Sequence, residues 1–201
     1  MPVVTCLDLE GVLTPEVWIN VAESTGIEKL RLTTRDVSDY DELMRMRLKI
    51  LDENNLKIGD IQSVIRTMDP LEGAREFLDS LRARCQVIIL SDTYYEFAGP
   101  VMEKLGRPVL FCNSLVIEPD GRIADYRLRQ KDGKRMSVKA MHSLQFEVIA
   151  VGDSYNDTTM LSEADAGILF RPPENVIKEF PQFPVTRTYK ELLAEIEKNL
   201  G

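Results

Sequence analysis

The chain has 201 residues, of which 44% are hydrophobic, and a formal net charge of −8 at pH 7. This composition predicts one folded domain with room for an insertion, and it argues against a sequence-independent nucleic-acid surface, which needs clustered Lys and Arg. The sequence contains no run of about 18 apolar residues, so no membrane span is predicted. The spacing of the cysteines at Cys6, Cys85 and Cys112 fits neither a disulfide framework nor a zinc site, and no signal peptide is evident. We therefore expect reduced thiols and a cytoplasmic location.

Hydrophobic periodicity predicts strands that alternate with helices along most of the chain. The predicted strands are 3–9, 86–91, 109–112, 147–151 and 166–170, and the predicted helices are 71–84, 94–105, 134–143, 157–163, 174–180 and 189–199. This alternation indicates an α/β fold with a Rossmann-like parallel sheet that is covered on both faces. The pair Asp120-Gly121 predicts a hairpin turn that joins 114–118 to 122–128 as an antiparallel attachment.

The segment 15–68 interrupts this alternation, because it contains helical patterns but no strand. Helices are predicted at 16–22, 40–52 and 58–67. We therefore predict a small α-helical cap inserted after the first strand, with 1–14 and 69–201 forming the α/β core. An insertion at that junction would stand over the carboxyl edge of the sheet, where it can act as a lid.

The first predicted strand ends in two carboxylates, Asp8 and Glu10, followed by Gly11. Residues two apart on a strand point to the same face, so both acids are expected to converge where the strand ends. Ligands of open α/β sheets bind at this edge. Two acids there suit a nucleophile or metal ligand and a proton-transfer group, although acids at strand ends also form turns and helix caps.

A second acidic loop, 152–157, follows the predicted strand at 147–151 and contains Asp153, Asn156 and Asp157. Two such junctions can bring three or four oxygens to one place, which predicts a site for a hard cation such as Mg²⁺. We interpret Asp157 as a helix N-cap, or as a residue that orients the metal site, rather than as a direct ligand.

One charged residue of the predicted cap lies on an apolar helix stripe. Arg47 is four residues from both Leu43 and Leu51, which belong to that stripe. One interpretation is that its aliphatic stem packs while the guanidinium reaches water. The other is that the guanidinium points inward to grip a substrate carboxylate.

Four motifs in order resemble the haloacid dehalogenase superfamily. They are the segment 8–12, Ser91-Asp92-Thr93 after a strand, Lys134, and the segment 152–157. Within the superfamily the chain is similar to the phosphoserine phosphatases, including bacterial members that also transfer the phosphoryl group to homoserine. The resemblance covers nearly the whole chain, and it implies a haloacid dehalogenase-like core and Mg²⁺ as cofactor.

The resemblance also implies a role for each matching residue. Asp8 would be the nucleophile that becomes an aspartyl phosphate, and Glu10 would be the general acid and base. Mg²⁺ would be held by Asp8, Asp153 and the backbone carbonyl of Glu10. Tyr40 matches an aromatic cap position, and the implied substrate-binding residues are Glu16, Arg47, Ser91, Asp92, Lys134 and Asn156.

Alternatives remain for several of these residues. Ser91-Asp92 could cap the following helix, Lys134 could be a solvated lysine at a helix start, and Glu16 could be a favourable charge in a first helical turn. The family usually has Asp at position 10, and it usually has a hydroxyl residue where this chain has Gly11. These departures motivate the hypothesis that the aspartyl phosphate lasts long enough for homoserine to compete with water.

Other functions also fit part of the pattern. A haloacid dehalogenase-type phosphatase for another small phosphate ester shares the four motifs. A receiver-like phospho-acceptor module also combines acids, Mg²⁺, a hydroxyl and a lysine, but its motif order differs. We expect a small-molecule substrate and neither a nucleic-acid nor a membrane partner. A homodimer is compatible with the resemblance.

Overall fold

The computed structural model describes residues 1–33, 36–37 and 39–200. Within these residues seven strands form one sheet: β1 (Val3–Leu7), β2 (Gln86–Tyr94), β3 (Val109–Ile117), β4 (Ile123–Arg127), β5 (Glu147–Gly152), β6 (Ala166–Phe170) and β7 (Val185–Thr186). Their order is β4-β3-β2-β1-β5-β6-β7. All neighbours run parallel except β3 and β4, which are antiparallel. The predicted α/β fold with a largely parallel sheet is confirmed.

Helices cover the sheet and form the inserted segment. The insertion contains α1 (Val17–Thr25), α2 (Tyr40–Glu53), α3 (Ile58–Thr67) and a 3₁₀ helix (Glu28–Arg31). The later helices are α4 (Ala74–Arg82), α5 (Tyr95–Lys104), α6 (Gly133–Ser143), α7 (Thr158–Glu163), α8 (Glu174–Glu179) and α9 (Tyr189–Glu197), with a second 3₁₀ helix at Tyr155–Asp157. None of the helices described is long and apolar enough to cross a bilayer.

Two strands are longer than their sequence pattern predicts. The predicted segments 109–112 and 114–118 merge into one continuous strand, β3, which ends at Ile117, and β2 runs to Tyr94 instead of ending at 91. The physical reason is that the polar side chain of Asn113 finds hydrogen-bond partners while its backbone stays in the strand. Its amide donates to the carbonyl of Asp92 (3.1 Å), and its carbonyl oxygen accepts from the Arg129 N–H (3.0 Å). The two-residue strand β7 was not predicted, because so short a segment carries no periodic signal.

The hydrophobic core lies on both faces of the sheet. Leu7 belongs to a cluster with α4, α5 and α9, whereas the neighbouring Cys6 belongs to a cluster with α6, α7 and α8. This alternation along β1 is the pattern of a strand that is buried on both sides. The cysteines are free thiols, as expected, and Cys6 and Cys112 are buried.

A third hydrophobic cluster joins the inserted helices to the rest of the chain. It combines Trp18 of α1 and Ile61 of α3 with Tyr94 at the end of β2, Phe97 of α5 and Leu115 of β3. The inserted helices therefore pack onto the end of the sheet where β2 ends. The division into a cap at 15–68 and a core at 1–14 and 69–201 stays a prediction.

Candidate active site

The site is built where the neighbouring parallel strands β1 and β5 end. Leu7 pairs with Val151 at the end of the β1–β5 ladder, and the Asp8 N–H extends this ladder by donating to the Val151 carbonyl (2.9 Å). The Asp8 side chain is buried, and its Oδ1 accepts the N–H of Leu9 (2.7 Å). Asp153 follows β5 at the same edge, so the topology brings the two acidic loops together.

Lys134, in the first turn of α6, lies inside this acidic cluster. Its Nζ is 2.9 Å from Asp8 Oδ1, 2.7 Å from Asp157 Oδ1 and 3.7 Å from Asp92 Oδ2. The residue is only 4% exposed, so the alternative of a solvated lysine is wrong. Burial alone would lower the pKa of Lys134, but Asp157 and Asp8 raise it well above its ordinary value, and the ammonium therefore stays charged.

The acidic cluster has the composition of a magnesium site. Carboxylate oxygens of Asp8, Asp153 and Asp157 lie within 4.8 Å of one another. Burial and the neighbouring Asp157 raise the pKa of Asp8 well above its usual range, and the same causes raise the pKa of Asp153 to about 7. One lysine does not neutralise these carboxylates, and an all-oxygen donor set suits Mg²⁺. The residues therefore fit the cation that the sequence predicts.

Asp157 is held by the protein on both of its carboxylate oxygens. Oδ2 accepts the N–H groups of Asp153 (2.9 Å) and Ser154 (3.2 Å), while Oδ1 accepts from Lys134 (2.7 Å). It also completes a capping box with Ser154 at the 3₁₀ helix. Asp157 therefore orients both the loop that carries Asp153 and the lysine.

Gly11 leaves the space that the Asp153 carboxylate occupies. Its φ is +81°, and a Cβ at this position would lie 2.5 Å from Asp153 Oδ2. Both the left-handed backbone and the close approach require glycine. The departure from the family's hydroxyl residue at this position thus has a local structural reason.

Glu10 faces the inserted helices. The prediction that Asp8 and Glu10 lie on the same face of the first strand is wrong, because β1 ends at Leu7 and Glu10 lies in a tight loop that bridges to Thr14. Glu10 Oε2 accepts the N–H of Val17 at the start of α1 (3.1 Å). Burial and the nearby Glu16 raise the pKa of Glu10 to about 8. The two acids therefore have different partners.

Arg47 of α2 is buried on the inserted side of the site. It is 5% exposed, so the interpretation that its guanidinium reaches water is wrong. Nη2 donates to the carbonyl of Leu32 (2.7 Å), and the guanidinium carbon lies 4.5 Å from the ring centre of Trp18. The charges of Glu10 and Glu16 act on this guanidinium, so the predicted carboxylate-binding and ammonium-binding residues share one region.

Ser91 and Asp92 belong to the end of β2. Helix α5 begins at Tyr95 and has no side-chain cap, so the helix-capping interpretation of Ser91-Asp92 is wrong. Ser91 is buried, and its Oγ accepts the N–H of Thr93 (3.2 Å). Asp92 Oδ2 accepts from the amide of Asn156 (3.1 Å). The structure thus brings the second and fourth motifs into contact.

The hydroxyl of Tyr40 bonds to the end of β2. It donates to the carbonyl of Asp92 (3.2 Å) and lies 2.7 Å from the hydroxyl of Tyr94. Tyr94 and Asn113, which both hold this strand end, are not recognisable from the sequence pattern, because an aromatic residue or a single Asn in a strand reads as part of the sheet. Trp18 belongs to the hydrophobic cluster of the inserted helices, and its contact with Arg47 makes it part of the site.

Comparisons with known proteins agree with the motifs. The family model described as haloacid dehalogenase-like hydrolase matches residues 5–165. Phosphoserine phosphatase ThrH of Pseudomonas aeruginosa is 63% identical over 97% of this chain and 95% of the relative. A phosphoserine phosphatase of Pseudomonas syringae is 62% identical over 97% of this chain and 82% of its own length.

A solved structure shows the same fold at low sequence identity. The substrate-bound complex of a phosphoserine phosphatase superposes with a TM-score of 0.80 at 22% identity, covering 97% of this chain and 98% of the other. The resemblance predicted from the four motifs is therefore confirmed at the level of family and fold. The chain belongs to the haloacid dehalogenase-like hydrolases.

Proposed function

We propose that the protein is an Mg²⁺-dependent phosphoserine phosphatase that works through an aspartyl phosphate on Asp8. The observation that carries this proposal is a site with two differently charged ends. Asp8 lies beside Lys134 in an acidic, metal-suited cluster, and Arg47 lies buried on the inserted side with Glu10 and Glu16. The names of the two Pseudomonas relatives support the same substrate.

The phosphoryl end would be bound by groups that neutralise or donate to its oxygens. Mg²⁺ would be held by the carboxylates of Asp8 and Asp153 and the backbone carbonyl of Glu10. When bound, it supplies positive charge that reduces the repulsion between a carboxylate nucleophile and a phosphate dianion. Lys134 adds a second cation, and the hydroxyl of Ser91 is a donor for a phosphoryl oxygen. Asn156 and Asp92 would border this end.

The amino-acid end would be recognised by opposite charges. Arg47 can grip a carboxylate bidentately, and Glu16 can bind an ammonium group. Phosphoserine carries both groups next to its phosphate ester. Tyr40 would close this end, since its hydroxyl bonds to the carbonyl of Asp92.

Proton transfer would be the work of Glu10. As an Asp8 oxygen forms its bond to phosphorus, the bond between phosphorus and the serine oxygen breaks, and the carboxylic acid of Glu10 gives its proton to that oxygen. The Glu10 carboxylate then takes a proton from an incoming water, whose oxygen attacks phosphorus and releases Asp8. Its burial against Val17 and Glu16 favours the protonated form that the first step needs.

We also propose that homoserine can replace water in the second step. Its hydroxyl would lose a proton to Glu10 and accept the phosphoryl group from Asp8. Glu10 has one methylene more than the family's usual Asp, and the extra length shifts the position of its carboxyl. The hypothesis is that this shift leaves room for an alcohol acceptor.

The first experiment measures phosphate release from phosphoserine with Mg²⁺ and with a chelator. We expect turnover only with Mg²⁺, labelled phosphorus attached to Asp8 after rapid quenching, and no turnover in Asp8→Asn. Asp52→Asn, an exposed carboxylate of α2, serves as the matched control and should keep wild-type activity. Turnover of other esters but not phosphoserine would favour a different phosphatase, and stable phosphorylation without turnover would favour a receiver-like module.

The second experiment adds homoserine to the same reaction and follows phosphorus by NMR. Homoserine phosphate should form at the expense of inorganic phosphate. If it never rises above the level in Asp8→Asn, the transfer proposal is wrong, and hydrolysis alone remains.

A further inference from the structure

Arg47 is a buried cation without a close counter-ion in the described part of the chain. No carboxylate oxygen lies within 4.0 Å of it among the residues described, and its Nε has no hydrogen-bond partner there. Among these residues, the hydrogen-bond partner of Nη1 is the sulfur of Met44 (3.7 Å), which is a weak acceptor. A desolvated guanidinium with free donors is ready to bind an anion, provided that something else holds its plane in place.

Trp18 fixes the plane of the Arg47 guanidinium. The guanidinium carbon of Arg47 lies 4.5 Å from the centre of the Trp18 ring, inside the range of a cation–π contact. Trp18 is itself fixed, because it is 8% exposed and packs edge-on against Phe97 with ring centres 5.7 Å apart. One face of the guanidinium is thus covered by an aromatic ring that cannot accept a strong hydrogen bond. The Leu32 carbonyl accepts one hydrogen bond from Nη2.

Trp18 lies on α1 next to groups that contact or surround Glu10, the proposed proton-transfer residue. The preceding residue, Val17, donates its N–H to Glu10. Glu16, the proposed ammonium ligand, comes one residue earlier. The first turn of α1 therefore places a carboxylate, a backbone donor and an aromatic ring around the same end of the site.

We propose that Trp18 is a positioning residue that determines specificity for phosphate esters bearing a carboxylate, because it fixes the guanidinium of Arg47. This inference rests on the proposed function, in which Arg47 binds the substrate carboxylate. It assigns to Trp18 a role that simple core packing does not include. A leucine can fill much of the same volume, but it offers no ring face to a cation.

The kinetic test compares two substrates that differ in that one group. Phosphoserine has the carboxylate, and O-phosphoethanolamine lacks it. In Trp18→Leu we expect the ratio of kcat/KM for phosphoserine to that for phosphoethanolamine to fall about tenfold, mainly through KM for phosphoserine, since a desolvated cation–π contact has that order of strength. Trp18→Phe, which keeps a smaller ring, should restore most of the ratio.

A matched control separates positioning from stability. Phe77→Leu removes a buried aromatic ring of α4 that packs on Tyr189, away from the inserted helices. It should lower the melting temperature without changing the substrate ratio. Trp18→Leu should also have no further effect on the ratio in an Arg47→Met background. Equal losses for both substrates in Trp18→Leu would overturn the proposal.

Intrinsic fluorescence gives a readout that does not depend on turnover. Trp18 is the single tryptophan of the sequence, so the emission comes from the ring that covers Arg47. We expect L-serine to change this emission saturably in the Mg²⁺-loaded protein, ethanolamine to leave it unchanged, and Arg47→Met to abolish the response. A response to ethanolamine, a response in Arg47→Met, or no response to serine would overturn the inference.

The two experiments also separate this inference from the proposed function. Absence of phosphate release from phosphoserine in the wild-type protein would refute the function. The emission change with serine would still decide whether Trp18 and Arg47 form a carboxylate site.

Discussion

Removal of the buried lysine is expected to destabilise the protein as well as inactivate it. Lys134 Nζ contacts Asp8 (2.9 Å) and Asp157 (2.7 Å), both of which are buried. Deleting one partner of a buried ion pair typically costs about 3–5 kcal/mol, because the other charge stays buried. Asp157 keeps its two backbone donors, so we expect Lys134→Met to lower the free energy of unfolding by about 3 kcal/mol.

The pH dependence of this loss follows from the sign of the pKa changes. Because the pKa of Lys134 is raised in the folded state, its stabilisation is fully present below the unfolded pKa and disappears only in strong alkali. The pKa of Asp8 is already raised by burial and by Asp157, and the variant removes the lysine that lowers it, so the folded variant binds a proton that the unfolded chain does not bind. The free energy of unfolding of Lys134→Met should therefore approach that of the wild-type protein as the pH falls from 7 to about 5.

Urea unfolding with a chelator present measures this difference. Lys139→Met changes an exposed lysine of the same helix and controls for the loss of one positive charge. If the free energy of unfolding of Lys134→Met lies within about 0.5 kcal/mol of this control at pH 7, the buried ion pairs of Lys134 do not stabilise the fold.

Three further outcomes follow from the site and the core. In urea unfolding, Mg²⁺ at about 100 times its Kd should stabilise the protein by about 2.7 kcal/mol, and calorimetry should show weaker binding below about pH 7, where Asp153 takes up a proton. Gly11→Ala should lower the free energy of unfolding by about 1–2 kcal/mol and weaken Mg²⁺ binding, since its Cβ displaces the Asp153 carboxylate. Burial raises the pKa values of the Cys6 and Cys112 thiols to about 12. Mass spectrometry after treatment with iodoacetamide at mildly alkaline pH should therefore find both cysteines unmodified in the folded protein. Rapid labelling of either cysteine would contradict its burial.

The meeting of the two acidic loops was predictable from the sequence. Apolar runs before Asp8 and Asp153 predict strands, and the carboxyl ends of parallel strands share one edge. The structure adds the reason that these two are so close, because β1 and β5 are direct neighbours and Leu7 pairs with Val151. The sequence pattern does not contain that neighbour relation.

The residues for which the sequence leaves alternatives open depend on contacts between distant parts of the chain. Ser91-Asp92 looks like a helix cap, but Tyr40 and Asn113 bond to the Asp92 carbonyl and the segment stays extended. Lys134 is not distinguishable by pattern from the nearby Lys131, and only the packing of α6 against the sheet buries it. Local propensity gives way at such places to tertiary hydrogen bonds and burial.

In the described part of the chain, two buried cations explain how an acidic protein suits the proposed anionic substrate. Lys134 is already surrounded by carboxylates, so its end of the site carries excess negative charge that favours Mg²⁺. Within the residues described, Arg47 contacts an aromatic face and one carbonyl and has no close counter-ion, so its end favours an anion. Buried charges are screened by salt far less than surface charges. In this proposal, recognition depends on these local charges rather than on the net charge of −8.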